Sequence, residues 1–479
     1  MKVLAAASEI FPLVKTGGLA DVTGALPAAL AKQGVELLTI VPGYPPVMAA
    51  LEGAAELHAY ADLFGGKARL LRGRAKGLEI IAIDAPHLYD RPGNPYLGPD
   101  GKDWPDNARR FAALARAAAD VATAKLGGAG ADILHCHDWQ AALAPVYVKF
   151  SGGPQKVKTL MTVHNIAFQG QFPASVFGSL GLPAQAFAID GVEYYGNVCF
   201  LKGGLATADR ISTVSPSYAQ EICTPEYGMG LDGLLRARRD VLSGIVNGID
   251  DEVWNPADDA LIAQTYTAKT LPKRLANKRA VEQRFNLEPG EGLLHGVVSR
   301  LTWQKGMDIF AASIDRLVAG GARLALIGTG EAGIEEAILA AAERHKGRIG
   351  VMLGYDEALS HLVQAGCDTI LVPSRFEPCG LTQLYGLRYG SIPIVARTGG
   401  LNDTVIDAND AALQAEVATG FQFAPVDQPT LEHTLQRAAE CFADQTLWRG
   451  MQKRGMASDV SWTRSASTYA QLYRNLLKA

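Results

Sequence analysis

The chain has 479 residues, 48% hydrophobic and 20% charged, a composition typical of globular proteins and a length sufficient for two or three domains. Its net charge of −4 gives no reason to expect a nucleic-acid partner, and no apolar run approaches the roughly 20 residues of a membrane span. The first residues carry no signal-peptide pattern and the six cysteines form no C-x-x-C pair, so we expect reduced thiols and a cytoplasmic location.

Apolar runs that predict strands alternate with longer Ala- and Leu-rich runs that predict helices. The predicted strands are Lys2–Ala6, Leu37–Val41, Glu79–Ile83, Ile133–His135, Thr159–Val163, Arg210–Val214, Leu293–Val298, Arg323–Ile327, Ile349–Leu353, Thr369–Val372 and Ile392–Val395. This alternation is the βαβ pattern of a parallel, doubly wound sheet. Because eleven strands are too many for one such sheet, we predict two α/β domains of similar size, joined near residue 247.

The first predicted strand is followed by a glycine-containing loop, Lys15-Thr16-Gly17-Gly18-Leu19. Two adjacent glycines let the backbone approach a ligand closely, and Lys15 supplies a charge for a phosphate. The spacing does not match G-x-G-x-x-G, so a nicotinamide-binding site is not predicted. Arg397-Thr398-Gly399-Gly400-Leu401 repeats the pattern after another strand, which suggests two related domains with similar loops at the mouth of one cleft.

Histidines end two further strands of the first half. His135 and His137 alternate on a strand and could share a face, but no third histidine lies nearby in sequence. We therefore consider a metal site improbable and expect Asp138 to contact substrate instead. His164 ends the next strand, before a glycine-containing loop, and is a candidate ligand contact; a structural histidine is the alternative.

Loops with glycines and cations follow strands of the second half. Ser299–Gly306 carries Arg300 and Lys305, which could hold a diphosphate between them; a solvated basic turn is the alternative. The turn Gly328–Glu331 is a further candidate to face a phosphate or nucleotide.

The stretch Thr369–Gly390 predicts a strand, a tight loop and a helix with a glycine cap. The free N–H groups at the helix start would bind an anion; they belong to Gly380, Leu381 and Thr382. Glu377, in the same loop, suits a ligand part that is hydroxylated or gains positive charge. A nucleotide-sugar has both parts, although Glu377 could instead only cap the helix.

Five motifs spread in order over nearly the whole chain resemble those of bacterial glycogen synthases and plant starch synthases. They are K-T-G-G-L at Lys15–Leu19, H-D-W at His137–Trp139, T-V-H-N at Thr162–Asn165, S-R-L-T-x-Q-K-G at Ser299–Gly306 and S-R-F-E-P-C-G-L-T-Q-L at Ser374–Leu384. The resemblance implies the GT-B fold, two Rossmann-like doubly wound domains with a deep inter-domain cleft. The domains would be 1–245, on the acceptor side, and 246–456, which binds the nucleotide-sugar, with a C-terminal helix over 457–479 packing back on the first.

The resemblance also implies the reaction, a transfer of glucose from ADP-glucose to the non-reducing end of an α-1,4-glucan with retained anomeric configuration. The family needs neither a metal nor another cofactor, and nothing points to a nucleic-acid or membrane partner. Glu377 would bind sugar hydroxyls or stabilise an oxocarbenium-like centre. Glucose would be positioned by Asp138, His164 and Asn247.

Further roles concern the diphosphate and the nucleotide. Charge on the diphosphate would be stabilised by Lys15, Gly18, Arg300, Lys305 and the amides of Gly380, Leu381 and Thr382. The nucleotide would be flanked by Tyr96 and by the loop with Gly354 and Tyr355, with Tyr355 stacking on adenine, while Cys379 would lie beside the donor. Many retaining relatives repeat a glutamate eight positions after the first, to hold the ribose. Here that residue is Tyr385, so the ribose contact stays unassigned.

Two other functions stay open. A glucan phosphorylase would need a lysine that binds pyridoxal phosphate, and no pattern predicts one. A non-catalytic glucan-binding or regulatory protein on the same fold is disfavoured by the joint presence of Lys15, Arg300, Lys305 and Glu377.

Overall fold

The computed structural model describes residues 1–126, 130–152 and 156–478, so Ala479, the last residue of the predicted C-terminal segment, lies outside the described residues. The chain divides into two compact units. The first comprises Met1–Ile245 with Trp462–Ala479, and the second comprises Val246–Ser461.

The first unit contains a mixed sheet and a small antiparallel one. Its strands are β1 (Lys2–Ala6), β2 (Glu36–Pro42), β3 (Glu52–Tyr60), β4 (Ala68–Ala75), β5 (Leu78–Asp84), β6 (Ile133–His137), β7 (Lys158–Val163), β8 (Gln171–Phe172), β9 (Glu193–Tyr194), β10 (Asn197–Cys199), β11 (Arg210–Thr213) and β12 (Leu242–Gly244). Nine form one sheet in the order β12-β11-β7-β6-β1-β2-β5-β4-β3. Neighbouring strands of this sheet pair in parallel, except that β4 is antiparallel to both β3 and β5. β8, β10 and β9 form the small sheet.

Helices connect these strands. They are α1 (Gly18–Ala31), α2 (Pro45–Ala50), α3 (Pro86–Tyr89), α4 (Asn107–Ala122), α5 (Asp138–Ala141), α6 (Leu143–Lys149), α7 (Phe200–Thr207), α8 (Pro216–Glu221) and α9 (Asp232–Ala237). Short 3₁₀ turns lie at Ala174–Ser179, Ala184–Ala186 and Arg239–Val241.

The second unit contains one parallel sheet of six strands in the order β15-β14-β13-β16-β17-β18. The strands are β13 (Leu294–Val298), β14 (Arg323–Gly328), β15 (Ile349–Leu353), β16 (Thr369–Val372), β17 (Ile392–Ala396) and β18 (Phe421–Phe423). The helices are α10 (Arg274–Arg284), α11 (Met307–Ala319), α12 (Ala332–Arg344), α13 (Glu357–Gly366), α14 (Thr382–Tyr389), α15 (Gly399–Thr404), α16 (Asp410–Gln414), α17 (Gln428–Ala443) and α18 (Gln445–Ala457), with 3₁₀ turns at Leu271–Lys273 and Trp303–Lys305.

The apolar runs of the second unit are explained by burial on both faces of its sheet. Along β14, Leu324 and Leu326 belong to one apolar cluster, while Ala325 and Ile327 belong to another on the opposite face. Successive side chains of a strand point to opposite faces, so a strand covered on both faces is apolar throughout. These strands are therefore easy to predict from the sequence.

The parallel strands of the two Rossmann-like sheets confirm the predicted fold class, and all eleven predicted strands are present, with ends that differ by at most two residues. The antiparallel hairpin of β3 and β4 was not predicted. β3 is an edge strand whose side chains are mostly exposed, so it carries no apolar run. The predicted helix after Thr369–Val372 is α14, and its C-cap is Gly390, whose φ of +65° suits a glycine.

The last helix, α19 (Trp462–Lys478), is part of the first unit. α18 ends at Ala457, so the two helices are separated by a short connection. Buried residues of α19 recur at helical spacing and join the apolar cluster that contains Val22, Leu26 and Leu30 of α1; they are Trp462, Ala466, Tyr469, Ala470, Tyr473 and Leu476. α19 thus completes the core of the first unit.

Candidate functional site

Three loops of the first unit begin at the carboxyl ends of neighbouring parallel strands. β1 lies between β2 and β6, and β6 lies beside β7. The loop with Lys15 follows β1, Asp138 follows β6, and His164 follows β7. The strand order reverses between β1 and β6, and open α/β sheets bind ligands at such a point. The structure thus brings these three predicted residues to one edge of the first sheet.

The second unit repeats this arrangement. Its strand order reverses between β13 and β16, which are adjacent. The loop with Arg300 and Lys305 follows β13, and the loop with Glu377 follows β16. The predicted cations and the predicted carboxylate therefore lie at the ligand-binding edge of the second sheet.

A buried glutamate, Glu9, holds the loop with the two glycines. Its carboxylate accepts hydrogen bonds from the backbone N–H of Thr16 at 2.5 Å and from the Thr16 hydroxyl at 2.6 Å. The Tyr96 hydroxyl also donates to Glu9 and lies 2.9 Å from the hydroxyl of Ser8. Tyr96, predicted to flank the nucleotide, therefore uses its hydroxyl to fix this loop.

The same loop leaves its lysine and glycines accessible. Nζ of Lys15 lies 2.8 Å from the carboxylate of Asp21, and the Lys15 side chain is 38% exposed. Burial raises the pKa of Asp21, and Lys15 opposes that rise. A Cβ added at Gly17 or Gly18 would meet no atom within 4 Å. Since α1 begins at Gly18, a phosphate can approach its first amides without a side chain in the way.

Asp138 and His164 are joined through the backbone. The Asp138 carboxylate accepts hydrogen bonds from the N–H of His164 at 2.7 Å and the N–H of Asn165 at 3.4 Å. Asp138 has a φ of +55°, in the left-handed region that costs energy for residues with a side chain. Strain of this kind clusters at functional sites, where the surroundings hold it in place.

Burial shifts the titration of both side chains. It raises the pKa of Asp138 to about 7, against the two backbone N–H bonds that lower it. Burial also lowers the pKa of His164 to about 3. At neutral pH His164 is therefore uncharged, while Asp138 changes its charge within the physiological range.

The two loops of the second unit meet at an ion pair between Lys305 and Glu377. Nζ of Lys305 donates to the Glu377 carboxylate, which also accepts a hydrogen bond from the Ser374 hydroxyl at 2.9 Å. The side chains of Lys305 and Glu377 are only 17% and 9% exposed. Arg300 is exposed, and its guanidinium has no hydrogen-bond or ion-pair partner among the described residues.

Arg375 fastens these two loops together. Its guanidinium donates to the Asp308 carboxylate at 2.5 and 2.7 Å and to the Trp303 carbonyl at 2.6 Å, and it lies 4.5 Å from the centre of the Trp303 ring. The backbone N–H of Arg375 donates to the carbonyl of Gln304 at 2.9 Å. These contacts hold the turn that carries the lysine against the loop that carries the glutamate.

The start of α14 offers free N–H groups beside Glu377. Among the described residues, the N–H groups of Gly380, Leu381 and Thr382 donate to no acceptor. Gly380 has a φ of +73°, and a Cβ added there would lie 3.1 Å from Cγ of Glu377. The helix dipole and these free donors are features that suit an anion, and they lie next to the glutamate.

Asn247 and Cys379 lie together in the second unit. Oδ1 of Asn247 is buried and has no hydrogen-bond partner among the residues that the structure describes. Burial raises the pKa of Cys379 to about 12, against the backbone N–H of Asn247, which lowers it. Cys379 is therefore a neutral thiol at physiological pH and a poor nucleophile.

The loop after β15 carries the predicted adenine contact. Tyr355 is 70% exposed, and its hydroxyl donates to Glu357. Gly354 has a φ of +122° and open space around it, and its N–H donates to the carbonyl of Gly328 at 3.1 Å. The neighbouring turn is less open, since the N–H of Gly330 already donates to Glu335 at 2.6 Å.

Tyr385, which replaces the second glutamate of many relatives, stacks on an aromatic ring. Its ring centre lies 3.7 Å from that of Trp254 at an interplanar angle of 14°. Trp254 stacks on His361 at the same distance and angle. The side chain at this position therefore packs against Trp254, and the ribose contact stays unassigned.

The repeated K/R-T-G-G-L motif begins a helix in both copies but lies in two different environments. Both copies open a helix, at Gly18 and at Gly399, after an extended N-cap residue. The glycines of the first copy face open space. A Cβ added at Gly399 would instead lie 2.0 Å from the carbonyl oxygen of Glu377, and one at Gly400 would lie 2.2 Å from that of Cys379. The second copy thus packs against the backbone of the loop that carries Glu377.

His135 and His137 do share a face, with ring centres 4.0 Å apart. His135 is committed to other partners, because its Nδ1 lies 2.8 Å from the Tyr473 hydroxyl and its Nε2 lies 2.6 Å from the Thr162 hydroxyl. Within residues 1–126, 130–152 and 156–478, no group of three His, Cys, Asp or Glu side chains could hold a metal ion. In the same residues no helix is long and apolar enough to cross a membrane.

Comparison with known proteins places the chain in a family. Residues 2–237 match the model of the starch synthase catalytic domain, and residues 278–442 match that of glycosyl transferases group 1. The chain is 57% identical to a glycogen synthase of Rhodopseudomonas palustris (strain BisA53), over all of this chain and 98% of the other, and 56% identical to that of Mesorhizobium japonicum, over 100% and 99%. The chain belongs to the glycogen synthase family.

Solved structures agree with this assignment. The catalytic domain of starch synthase IV from Arabidopsis thaliana, bound to ADP and acarbose, is 33% identical with a TM-score of 0.89, covering 100% of this chain and 99% of that one. A sucrose-phosphate synthase from Thermosynechococcus elongatus, 17% identical with a TM-score of 0.58 over 100% and 99% of the chains, shares the fold alone. The fold is thus the two-domain GT-B fold of glycosyltransferases. The chain is an enzyme of glucosyl transfer in glycogen synthesis, and the non-catalytic and phosphorylase alternatives are not favoured.

Three residues of this glycogen synthase family member escaped the sequence analysis. Glu9, Ser374 and Arg375 hold the loops that carry the predicted site residues. Glu9 lies three residues after the end of β1, and a carboxylate near a strand end was a usable signal. Nothing in the sequence indicates that Ser374 or Arg375 would bond to those particular partners.

The two glycine motifs supply a matched test of this arrangement. Gly399→Ala places a side chain at a φ of +42° and against the Glu377 carbonyl, so we expect it to lower the free energy of unfolding by about 1–3 kcal/mol. Gly17→Ala, at the equivalent position of the first copy, meets open space and should change it by no more than about 0.5 kcal/mol. Denaturant unfolding of both variants measures the difference. Equal effects would contradict the assigned environments.

Asp138 predicts a pH dependence of stability. Because its pKa is raised from the ordinary value of 3.8 to about 7, the folded state binds the proton more tightly than the unfolded state. The resulting stabilisation is complete below about pH 4 and is lost as the pH rises to about 7, with a slope of at most about 1.4 kcal/mol per pH unit.

Asp138→Asn cannot titrate but keeps an acceptor for the two N–H groups, so its stability should lack this slope. The measurement is denaturant unfolding of both proteins between pH 4 and 8. Asp190→Asn, at a side chain that is 75% exposed, is the control and should keep the slope of the unchanged protein. A parallel pH course for Asp138→Asn and the unchanged chain would rule out the shift.

Proposed function

We propose that this chain transfers glucose from ADP-glucose to the non-reducing end of an α-1,4-glucan, with retention of the anomeric configuration. The observation that carries the proposal is the shielded pair of Lys305 and Glu377 beside the start of α14. A cation, a carboxylate and free helix amides lie together there. This combination suits a ligand that joins an anionic diphosphate to a hydroxylated sugar.

The proposed diphosphate contacts are Arg300, Lys305 and the N–H groups of Gly380, Leu381 and Thr382. Arg300 has no protein partner among the described residues, so it is available to a ligand without breaking another bond. Lys305 would exchange Glu377 for a phosphate oxygen when the donor binds. Negative charge grows on the departing ADP, so these contacts strengthen in the transition state and lower the barrier.

The proposed sugar contacts in the second unit are Glu377 and Asn247. The Glu377 carboxylate would bind glucose hydroxyls or stabilise the positive charge that develops at the anomeric carbon. The buried Oδ1 of Asn247, which has no partner among the described residues, suits a sugar hydroxyl donor. Cys379 stays a thiol and does not attack.

In the proposed transfer, the bond between the anomeric carbon and the ADP oxygen breaks, and ADP keeps the electron pair. The 4-hydroxyl oxygen of the glucan end forms the new bond to the same carbon. Its proton passes to a phosphate oxygen of ADP, so that atoms and charge balance. The protein contributes electrostatic stabilisation and positioning.

The other predicted residues take supporting parts in this proposal. Asp138 and His164, at the edge of the first sheet, would position glucose hydroxyls on the acceptor side. The remaining contacts are to the phosphates, from Lys15 and Gly18, and to the nucleotide, from Tyr96, Gly354 and Tyr355. The exposed ring of Tyr355 suits stacking on adenine.

Support for the donor and acceptor comes from the starch synthase IV structure, which holds ADP and acarbose and is similar over the whole of this chain. Acarbose is an oligosaccharide analogue, which agrees with a glucan acceptor. We further propose that the reaction needs no metal or other cofactor, since Arg300, Lys305 and the helix amides can carry the charge on the diphosphate. The six free thiols suit a cytoplasmic location, with neither nucleic acid nor membrane as a partner.

The test is glucose transfer to glycogen by the purified protein, with ADP-glucose and UDP-glucose compared in buffer containing a chelator. We expect transfer from ADP-glucose and little from UDP-glucose, with the chelator without effect. Glu377→Gln should lower kcat by about 10²–10³, as loss of one transition-state contact does. Digestion of the product by an α-1,4-specific exo-hydrolase shows whether the new linkage has the retained α configuration.

Glu343→Gln, at a side chain of the same unit that is 74% exposed, is the matched control and should leave kcat unchanged. Circular dichroism and thermal unfolding establish that Glu377→Gln is folded. Unchanged transfer by Glu377→Gln would remove this residue from catalysis. No transfer from either donor by the unchanged protein would overturn the proposed reaction and favour a glucan-binding protein.

A further inference from the structure

A pair of buried histidines lies at the edge of the first sheet. His137 ends β6 and His164 follows β7. Nδ1 of His137 lies 3.0 Å from Nε2 of His164, with ring centres 5.2 Å apart. Two neutral imidazoles at this distance share one hydrogen bond, so one ring donates and the other accepts.

The surroundings of His137 decide which ring donates. Its other nitrogen, Nε2, is buried and has no partner among the described residues. A proton on Nε2 would leave a buried N–H donor without an acceptor, and such orphaned donors are rare in proteins. The proton of His137 therefore belongs on Nδ1, where it is donated to Nε2 of His164.

This assignment fixes the tautomer of His164 as well. Its Nε2 is an acceptor, so a neutral His164 carries its proton on Nδ1. Within the described part of the chain, Nδ1 of His164 makes no hydrogen bond, and it is not among the buried polar atoms that lack one. It therefore retains access to solvent and to a ligand.

We propose that His137 is a positioning residue that makes His164 an obligate hydrogen-bond donor, through Nδ1–H, to a hydroxyl oxygen of the glucose being transferred. The identity of that oxygen rests on the proposed function, whereas the tautomer of His164 does not depend on it. Burial supports it by keeping both rings uncharged, since it lowers the pKa of His164 to about 3 and that of His137 well below its ordinary value.

Neighbouring groups hold His137 in this orientation. The ring of His135 packs on it at 4.0 Å between centres, and His135 is fixed by the Tyr473 hydroxyl of α19 and the Thr162 hydroxyl of β7. Asp138 is the other titratable group that contacts His164, and its carboxylate accepts the backbone N–H of His164. No positive or negative side chain of the described residues pairs with either ring, so the hydrogen bond and the unpartnered Nε2 of His137 together set the tautomer.

The first experiment reads the tautomers directly by nitrogen NMR of the full chain labelled with ¹⁵N-histidine, assigned with His137→Asn and His164→Asn. We expect His137 and His164 both to be protonated on Nδ1. A proton on Nε2 of either residue would overturn the proposal. This readout needs no substrate, so it stands or falls separately from the proposed reaction.

The second experiment compares His137→Asn with His137→Leu in glucose transfer across pH. The Asn side-chain nitrogen occupies about the place of Nδ1 and can still donate, whereas Leu cannot. We expect His137→Leu to lower kcat/KM about tenfold, as loss of one buried hydrogen bond does. In this variant the fall of kcat/KM at low pH (the acid limb) should also move to higher pH, because Nε2 of His164 becomes free to take a proton.

The kcat/KM of His137→Asn should stay within about threefold of that of the unchanged protein, and its acid limb should lie at the same pH. A merely structural role for His137 would lower the unfolding temperature of both variants without moving the acid limb, and that result contradicts the proposal. Equal kinetics for His137→Leu and the unchanged protein would also contradict it. If His137→Leu does not fold, the NMR measurement decides.

Discussion

The pairing of Lys305 with Glu377 is the interaction on which the second unit's site depends. Charges held away from water cost desolvation energy unless they are paired and hydrogen-bonded. Here Ser374 adds a hydrogen bond to the carboxylate, and Arg375 ties the two loops together through Asp308 and Trp303. The fold thereby stores a lysine in contact with its own glutamate, next to amides that attract an anion. In the proposed function, a phosphate bound there would compete with the glutamate for the lysine.

The first unit uses carboxylates in the same way. Glu9 accepts the N–H and hydroxyl of Thr16 and so shapes the loop of Lys15 and Gly18 from within. Asp138 accepts the N–H of His164 and so fixes the start of that loop. In each case an acidic side chain with little access to water orders the backbone, and the neighbouring cation, glycine or histidine remains accessible. Rigid support beneath accessible groups is what preorganised binding requires.

The sequence predicted the fold well because its strands are buried on both faces. β14 and β16 are apolar after their first residues, Arg323 and Thr369, and their ends were predicted to within two residues. The position of the candidate site residues could be predicted for the same reason, since the carboxyl ends of parallel strands lie at one edge of a sheet. β3 was not predicted because an exposed edge strand has no apolar run. Its pairing with β4 depends on backbone hydrogen bonds, which no pattern of side chains indicates.

Contacts between distant residues were not predictable either. Glu9 meets Tyr96 across 87 residues, and His137 meets His164 across 27. Which polar groups pair is decided by the packing of the sheet, and a single sequence carries no signal of it. The two glycine motifs show the same limit, because the equivalent positions Gly17 and Gly399 lie in open space and against the carbonyl of Glu377, respectively.

We propose that Lys305 binds the diphosphate while Glu377 binds the sugar. Calorimetric titration of ADP into Lys305→Met and Glu377→Gln tests it most directly, because ADP carries the diphosphate without the glucose. We expect Lys305→Met to bind ADP at least about tenfold more weakly, because a charged contact to the diphosphate is lost. Glu377→Gln should bind ADP as tightly as the unchanged protein or more tightly, because a competing carboxylate is gone. Equal weakening by both substitutions would contradict this division of roles.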